Sequence, residues 1–276
     1  MHRRALLVSA LLLTLVVVAS TGCRPRPTDN RPAVATSTAY LASAVRDLLG
    51  DGLRIVTLAG PGMCPGHFDI RPSSIQQLRD CRLVLRFDFQ GALDRQFRAG
   101  DRPELPIIPI ALPGGMCTPA TYLAACRQVA DALVAADLAE RAAADEKLAD
   151  MEKRLAALAD WARQQVADAQ LAGAPVVTSG HQADFCQFLG LDVVALFSAP
   201  DRARMSEVNQ AIRDGQSAGL VIANLPEGTD MADALADRLG ARMVVFGNFP
   251  DEASHGGRFD ELVRDNVRRL VEASAP

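Results

Sequence analysis

The apolar residues of this chain fall into eight runs of strand length, and most of these runs are separated by stretches with helical spacing. This alternation predicts βαβ units, in which neighbouring strands run parallel and helices cover the sheet. The runs form two series of four, so we expect two similar α/β lobes with mostly parallel sheets. The predicted strands are 33–36, 53–58, 83–87 and 107–112 in the first series, and 176–178, 193–197, 220–223 and 243–246 in the second.

A block rich in Ala, Leu and charged residues, 119–172, separates the two series. Pro119 suits the first turn of a helix, and Gly173 and Pro175 end the block. Within it, apolar residues spaced by three and four from Leu148 to Ala162 form a narrow stripe on one helix face. We therefore predict a long spine helix that joins lobes 33–118 and 173–276. A short coiled-coil arm for dimerisation is the alternative.

The N-terminus has the layout of an export signal. Basic residues 2–4 precede the apolar run 5–19, and small residues then lead to Cys23, as in a bacterial lipobox. We expect residues 1–22 to be a signal peptide, Cys23 to carry the lipid and 23–32 to be a tether. The alternatives are ordinary cleavage and a retained transmembrane anchor, for which a run of about 15 residues is short. The mature protein should be exported, either anchored by lipid to the outer face of the cytoplasmic membrane or in the periplasm.

Charge and cysteine content narrow the function further. The net charge is −4, and loss of Arg3 and Arg4 with the leader makes it about −6, which argues against a nucleic-acid partner. Five cysteines remain after Cys23, and an odd count in an oxidising compartment leaves at least one thiol unpaired. Cys81 and Cys126 lie in apolar surroundings and are expected in the core.

Potential metal ligands follow several predicted strands, at the edge where open α/β sheets bind ligands. Cys64 and His67, spaced by three, come after the second strand, Cys117 after the fourth and His181 after the first strand of the second lobe. Two thiolates and two imidazoles make a tetrahedral set that zinc prefers. A Cys64–Cys117 disulfide is the alternative. An enzyme with a cysteine nucleophile, Cys186 near His181 or Cys64 near His67, is a further alternative without a recognisable nucleophile motif.

The phrase from Gly66 to Ser73 and the order of lobes and spine resemble the solute-binding proteins of zinc and manganese ABC importers. In that family a His after the second strand precedes a Pro-Ser helix start, and His67 occupies that place here. The family's third His follows a phrase like Val-Thr-Ser, which His181 matches with one extra glycine. The second family His falls at 116–118, where this chain has Met-Cys-Thr, and the family's Asp falls at Asn248.

The resemblance implies a metal-binding, non-enzymatic protein that passes its ion to an ABC permease and its ATPase. Only two of the four family ligand positions keep their usual residue. If Cys64 and Cys117 supply thiolates, the preference shifts towards Zn(II), or a softer ion such as Cu(I), and away from Mn(II). Asn248 would then orient a ligand or bind weakly through its carbonyl oxygen. A two-lobed binder of another small ligand remains the alternative.

Overall fold

The computed structural model describes residues 31–60, 72–98 and 102–274. The first sheet contains β1 (Ala33–Thr36), β2 (Arg54–Thr57), β3 (Cys81–Phe87) and β4 (Ile107–Ile110), in the order β2-β1-β3-β4. The second contains β5 (Pro175–Ser179), β6 (Asp192–Phe197), β7 (Leu220–Asn224) and β8 (Arg242–Phe246), in the order β6-β5-β7-β8. Every strand pair in both sheets is parallel. The prediction of two parallel α/β lobes is confirmed.

Ten helices occur in the described part of the chain. They are α1 (Ala39–Leu49), α2 (Pro72–Leu78), α3 (Asp94–Phe97), α4 (Pro119–Ala135), α5 (Arg141–Asp168), α6 (Ala183–Phe188), α7 (Met205–Asp214), α8 (Asp230–Leu239), α9 (Glu252–His255) and α10 (Phe259–Ser274). Short 3-10 turns precede or follow several of them. None of these helices is both long and apolar enough to cross a bilayer.

The block between the lobes consists of two helices, α4 and α5, rather than one continuous helix. Helix α4 ends in a Schellman motif: the amide of Leu138 donates to the carbonyl of Leu133, and Asp137 adopts a left-handed φ of 55°. Helix α5 then runs for 28 residues, about 42 Å. Its predicted apolar stripe is buried in the central core, including Met151, Leu155 and Leu158. The stripe therefore packs inside this chain and is not exposed for a coiled-coil partner.

One central core joins the two sheets and the spine, and a smaller apolar cluster covers the outer face of each sheet. At the centre, the rings of Tyr122 and Phe259 stack with centroids 3.9 Å apart, and Tyr40 meets Tyr122 edge-on at 5.2 Å. These three side chains come from α1, α4 and α10. The core therefore fixes the first lobe, the spine and the C-terminal helix to one another.

A charged cluster beside these aromatic rings adds a second connection. Arg154 on α5 donates to Asp47 on α1 at 2.6 Å, and lies 3.5 Å from Asp260 on α10. Tyr122 Oη lies 2.9 Å from the same Asp47 carboxylate. Burial has the largest effect on the Asp260 carboxyl and raises its pKa, despite the nearby Arg154 charge. Arg154 on the spine thus balances the negative charges of two carboxylates, one on α1 and one on α10.

The predicted signal peptide and the lipidation site Cys23 lie outside the described residues, as do Cys64 and His67.

Candidate functional site

A cavity of about 520 Å³ lies where the carboxyl ends of strands from both sheets face each other. Its walls come from loops after β3 and β4 in the first lobe and after β5, β6, β7 and β8 in the second. The lining residues are Phe89, Leu112, Gly114, Gly115, Met116, Gly180, His181, Asp184, Arg202, Asn224, Pro226, Glu227, Asn248 and Phe249. The cavity therefore contains the strand-end position predicted for His181.

The two lobes approach closely at one wall of this cavity. A Cβ added to Gly115 would lie 2.7 Å from Cβ of Asp184, closer than side-chain atoms pack. Gly115 belongs to the loop before α4, and Asp184 lies in the first turn of α6. Only a residue without a side chain allows this approach, which explains a glycine at this position.

His181 is held by a carboxylate at the cavity wall. Its Nδ1 lies 2.5 Å from Oε1 of Glu227, and the hydroxyl of Ser179 donates to Oε2 of the same carboxylate at 2.5 Å. Ser179 ends β5 and its oxygen also accepts from the His181 amide at 3.3 Å, which orients the single 3-10 turn that carries the histidine. The imidazole is 55% exposed, whereas the Glu227 side chain is only 7% exposed.

The contact with Glu227 uses Nδ1 of His181 and does not involve the other ring nitrogen, Nε2. None of the hydrogen bonds among the described residues involves Nε2 of His181. Since His181 lines the cavity, this nitrogen is the one that can bind a ligand there.

The contact between these two side chains shifts both of their pKa values. The hydrogen bond to Glu227 raises the pKa of His181, against smaller opposing effects of burial and of the Arg202 charge. Burial acts to raise the pKa of Glu227, but the hydrogen bonds from His181 and Ser179 outweigh it and the pKa is lowered. Glu227 is therefore a carboxylate at neutral pH and makes the imidazole more basic.

Below the histidine lies a buried network of three amide side chains. Nε2 of Gln182 donates to Oδ1 of Asn248 at 2.7 Å and to Oδ1 of Asn224 at 3.0 Å, and Nδ2 of Asn248 donates to Asn224 at 2.9 Å. All three residues are buried. Asn248, predicted to orient a ligand or bind weakly, borders the cavity, but both ends of its amide already have protein partners. Asn224 and Asn248 of this network line the cavity, so this part of its wall is polar and uncharged.

Cys117 lies in the core beside this network and not on the cavity wall. It is 1% exposed, and its thiol donates to the carbonyl of Gly247 at 3.0 Å, with Oδ1 of Asn248 at 3.3 Å. Burial raises the pKa of the Cys117 thiol far above its ordinary value, with a further contribution from Cys186. A metal-bound thiolate at this position would require ionisation of a fully buried thiol and loss of both contacts. Metal binding by Cys117 therefore stays a prediction, and it would require the free energy to ionise this buried thiol.

The four described cysteines, Cys81, Cys117, Cys126 and Cys186, are buried free thiols. The partner of Cys117 in the disulfide alternative, Cys64, lies outside the described residues. Cys186 lies on the buried face of α6 with its sulfur 3.7 Å from Oγ1 of Thr178, and burial raises its pKa to about 12. A protonated, inaccessible thiol is a poor nucleophile. Cys81 and Cys126 are 1% and 0% exposed, in the core as expected.

Of the four predicted ligands, the structure describes Cys117 and His181, and it places His181 on the cavity wall and Cys117 in the core. Within 31–60, 72–98 and 102–274, no group of three or more His, Cys, Asp or Glu side chains is arranged to hold a metal ion. His181 is the predicted ligand that lines the cavity.

Three charged residues of the cavity were not predicted as site residues. Glu227 follows β7, Arg202 follows β6 and Asp184 follows β5. All three positions satisfy the rule that ligands bind beyond the carboxyl ends of parallel strands. Extending that rule to the ends of β6 and β7 would have found Arg202 and Glu227.

Two α/β lobes that face each other across a cleft, with a polar site at their strand ends, define the class of two-lobed solute-binding proteins. The chain belongs to the family described as ZnuA, zinc-uptake complex component A, periplasmic, whose model matches residues 116–273. Members of this family are periplasmic metal-binding components of ABC importers, a substrate-binding and non-enzymatic class. No protein of curated function matches the sequence.

Solved structures share this fold at low sequence identity. A crystal structure of ZnuA is 14% identical with a TM-score of 0.71, and the match covers 89% of this chain and all of that one. The solute-binding protein FpvC from Pseudomonas aeruginosa, in complex with Mn²⁺, is 17% identical with a TM-score of 0.70, over 88% and 98% of the two chains. A Cd-bound periplasmic metal-binding protein from Candidatus Liberibacter asiaticus is 13% identical with a TM-score of 0.72, over 89% and 100%.

Proposed function

We propose that this protein captures Zn(II) in preference to Mn(II) in the cavity between its lobes and delivers it to an ABC permease driven by its ATPase. The observation that carries this proposal is the contact between Nδ1 of His181 and the buried carboxylate of Glu227. Metal-binding histidines commonly donate their second ring N–H to a carboxylate in this way, which fixes the tautomer and strengthens the ligand.

The remaining protein ligands in this proposal come from the sequence. His67 and Cys64 follow β2, in the lobe opposite His181, so an ion bound by both histidines would connect the two lobes. Cys117 is the more costly candidate because its thiol is buried and hydrogen-bonded. We therefore place His181, His67 and Cys64 first, and treat Asn248 as a residue that supports the floor of the site.

The chemistry of the donors supports zinc over manganese. Imidazole and thiolate suit Zn(II), whereas Mn(II) favours carboxylate and other oxygen ligands. The buried amides that line the cavity, Asn224 and Asn248, are neutral, and the lining also contains the carboxylates of Asp184 and Glu227. Glu227 is the buried carboxylate of the cavity, and its two oxygens are already engaged by His181 and Ser179. Cu(I) is the softer ion that the same donors would accept.

Competition between metals tests this proposal. The mature protein is stripped of metal, kept reduced, incubated with equal concentrations of Zn²⁺ and Mn²⁺, and analysed by mass spectrometry of the elements after gel filtration. We expect about one zinc per chain and little manganese. A protein that retains manganese at least as well as zinc would contradict the proposed preference.

We also propose that Cys23 anchors the protein to the membrane by a lipid. The support is the apolar run followed by small residues and a cysteine. Cys23→Ala should release the protein from the membrane fraction or stall its processing. An unchanged size and an unchanged membrane association in the variant would contradict lipidation.

A further inference from the structure

One aromatic side chain of the first lobe lines the same cavity that His181 lines from the second lobe. It belongs to Phe89, in the 3-10 turn Asp88–Leu93 that follows β3. Phe89 is 54% exposed, although aromatic side chains of this kind are usually buried. The ring therefore stays partly in solvent at the wall of the proposed metal site.

The turn holds this ring in one place. The Phe89 ring stacks on that of Phe87, with centroids 5.2 Å apart and planes inclined by 16°. The Phe89 amide donates to Oδ1 of Asp88 at 2.7 Å, and the Phe87 amide donates to Oε1 of Gln90 at 2.8 Å. Contacts within the turn thus fix both its backbone and the ring.

A buried arginine supports the turn from inside the lobe. Arg86 in β3 is 8% exposed, and its guanidinium donates to both carboxylate oxygens of Asp94, at 2.5 and 2.8 Å. It also donates to the carbonyls of Phe87 and Asp88, at 2.9 and 3.2 Å. Removal of a guanidinium from water is costly unless its donors are paired, and here they connect the backbone before Phe89 to α3. A buried arginine therefore fixes the turn that carries an exposed ring.

We propose that Phe89 is a shielding residue of the metal site. Its ring limits the access of water and of competing chelators to an ion bound at His181, and so controls how fast zinc leaves. Apolar groups around a metal site determine how solvent reaches the ion. Because the ring supplies no donor atom and slows entry and exit alike, the equilibrium affinity should depend on it little. This inference rests on the proposed function, since it requires zinc at His181.

The rate of zinc removal from the full mature protein tests the inference. Zinc-loaded, reduced wild type and Phe89→Ala are mixed in a stopped-flow instrument with the chromogenic chelator 4-(2-pyridylazo)resorcinol, whose absorbance reports the zinc that leaves. We expect the rate constant for removal, measured over a range of chelator concentrations, to rise by at least about fivefold in Phe89→Ala. The dissociation constant for zinc should change by less than about threefold.

Further variants separate shielding from a general loss of structure. Phe89→Leu keeps an apolar side chain and should restore most of the slow release. Asp94→Asn removes the charge that pairs with Arg86, so release should be faster than in the wild type but slower than in Phe89→Ala. Leu196→Ala is the matched control, because Leu196 is 52% exposed and lies outside the cavity lining, and it should release zinc like the wild type.

The outcomes distinguish this inference from the proposed function. An unchanged release rate in Phe89→Ala, with zinc bound by both proteins, would overturn the inference and leave the proposed function standing. A loss of affinity as large as the gain in release rate would make Phe89 part of the binding contacts and not a shield, which also overturns the inference. Absence of zinc binding by the wild type would overturn both.

Discussion

The exposed imidazole of His181 and the buried carboxylate of Glu227 are hydrogen-bonded, with Nδ1 and Oε1 2.5 Å apart. The carboxylate is fixed from its other side by Ser179, so the histidine is oriented by a rigid partner and its Nε2 is left for the cavity. Because the imidazole is already oriented, His181 loses less side-chain entropy when it binds a metal ion. The pair is therefore the part of the described site that is already arranged to receive an ion.

Removal of the Glu227 carboxylate should weaken metal binding and change its pH dependence. Glu227→Gln keeps a similar shape but lowers the basicity of His181, so zinc affinity should fall by about 10- to 100-fold at neutral pH. Glu207→Gln, an exposed glutamate on α7, is the matched control and should have no effect.

The direction of the pH effect follows from the His181 pKa. Zinc binds the neutral imidazole, and Glu227 raises the pKa of His181, so protons compete with zinc at a higher pH than they would for a free histidine. Affinity should fall as the pH drops through that raised pKa. In Glu227→Gln the fall should begin at a lower pH. A midpoint that stays in place, measured by zinc titration from pH 5 to 8, would contradict the assigned contact.

Two buried tyrosines provide a test of the core beside the spine. Both are fully buried, but Tyr122 Oη bonds to Asp47 and Ser43, whereas Tyr40 Oη has no partner among the described residues. Tyr122→Phe should lower the free energy of unfolding by about 1 to 2 kcal/mol, because it removes a hydrogen bond to a charged group. Tyr40→Phe should be neutral or slightly stabilising. Chemical denaturation of both variants checks this, and equal losses would contradict the hydrogen-bond assignment.

Cobalt substitution tests which sulfur, if any, binds the metal. A thiolate on cobalt gives an intense sulfur-to-cobalt charge-transfer band. Because the Cys117 thiol is buried with a strongly raised pKa, we expect Cys117→Ser to keep both the band and the metal affinity, within about threefold. Cys64→Ser is the matched variant and should diminish the band. Loss of the band in Cys117→Ser alone would instead place that thiolate on the metal.

The sequence predicted the fold well because strands and helices repeat a pattern over many residues. All eight apolar runs became strands, and the predicted helix 230–239 has the same limits in the structure. The break in the spine block at Asp137 was missed, since one residue in a left-handed conformation leaves no periodic signal. Asp is among the residues that tolerate this conformation, which is the only local indication.

The site was less predictable because side-chain direction in a loop is set by packing. Cys117 and His181 both follow strands, yet His181 lines the cavity and Cys117 is in the core. Cys117 immediately precedes Thr118, which caps α4 by accepting from the Thr121 amide. Residues before an N-cap often pack inwards against their helix, and this local rule favours a core position for Cys117. Glu227 had no spacing relation to His181 and became its partner only through the parallel pairing of β5 and β7.

Calorimetric titration of the metal-stripped protein with zinc, for the wild type and His181→Ala, tests the central claim most directly. We expect about one zinc per chain in the wild type and at least about 100-fold weaker binding in His181→Ala. His255→Gln changes the other described histidine, which lies outside the cavity, and should bind zinc like the wild type. Equal zinc affinity in His181→Ala and the wild type, or no zinc binding by the wild type, would contradict the account.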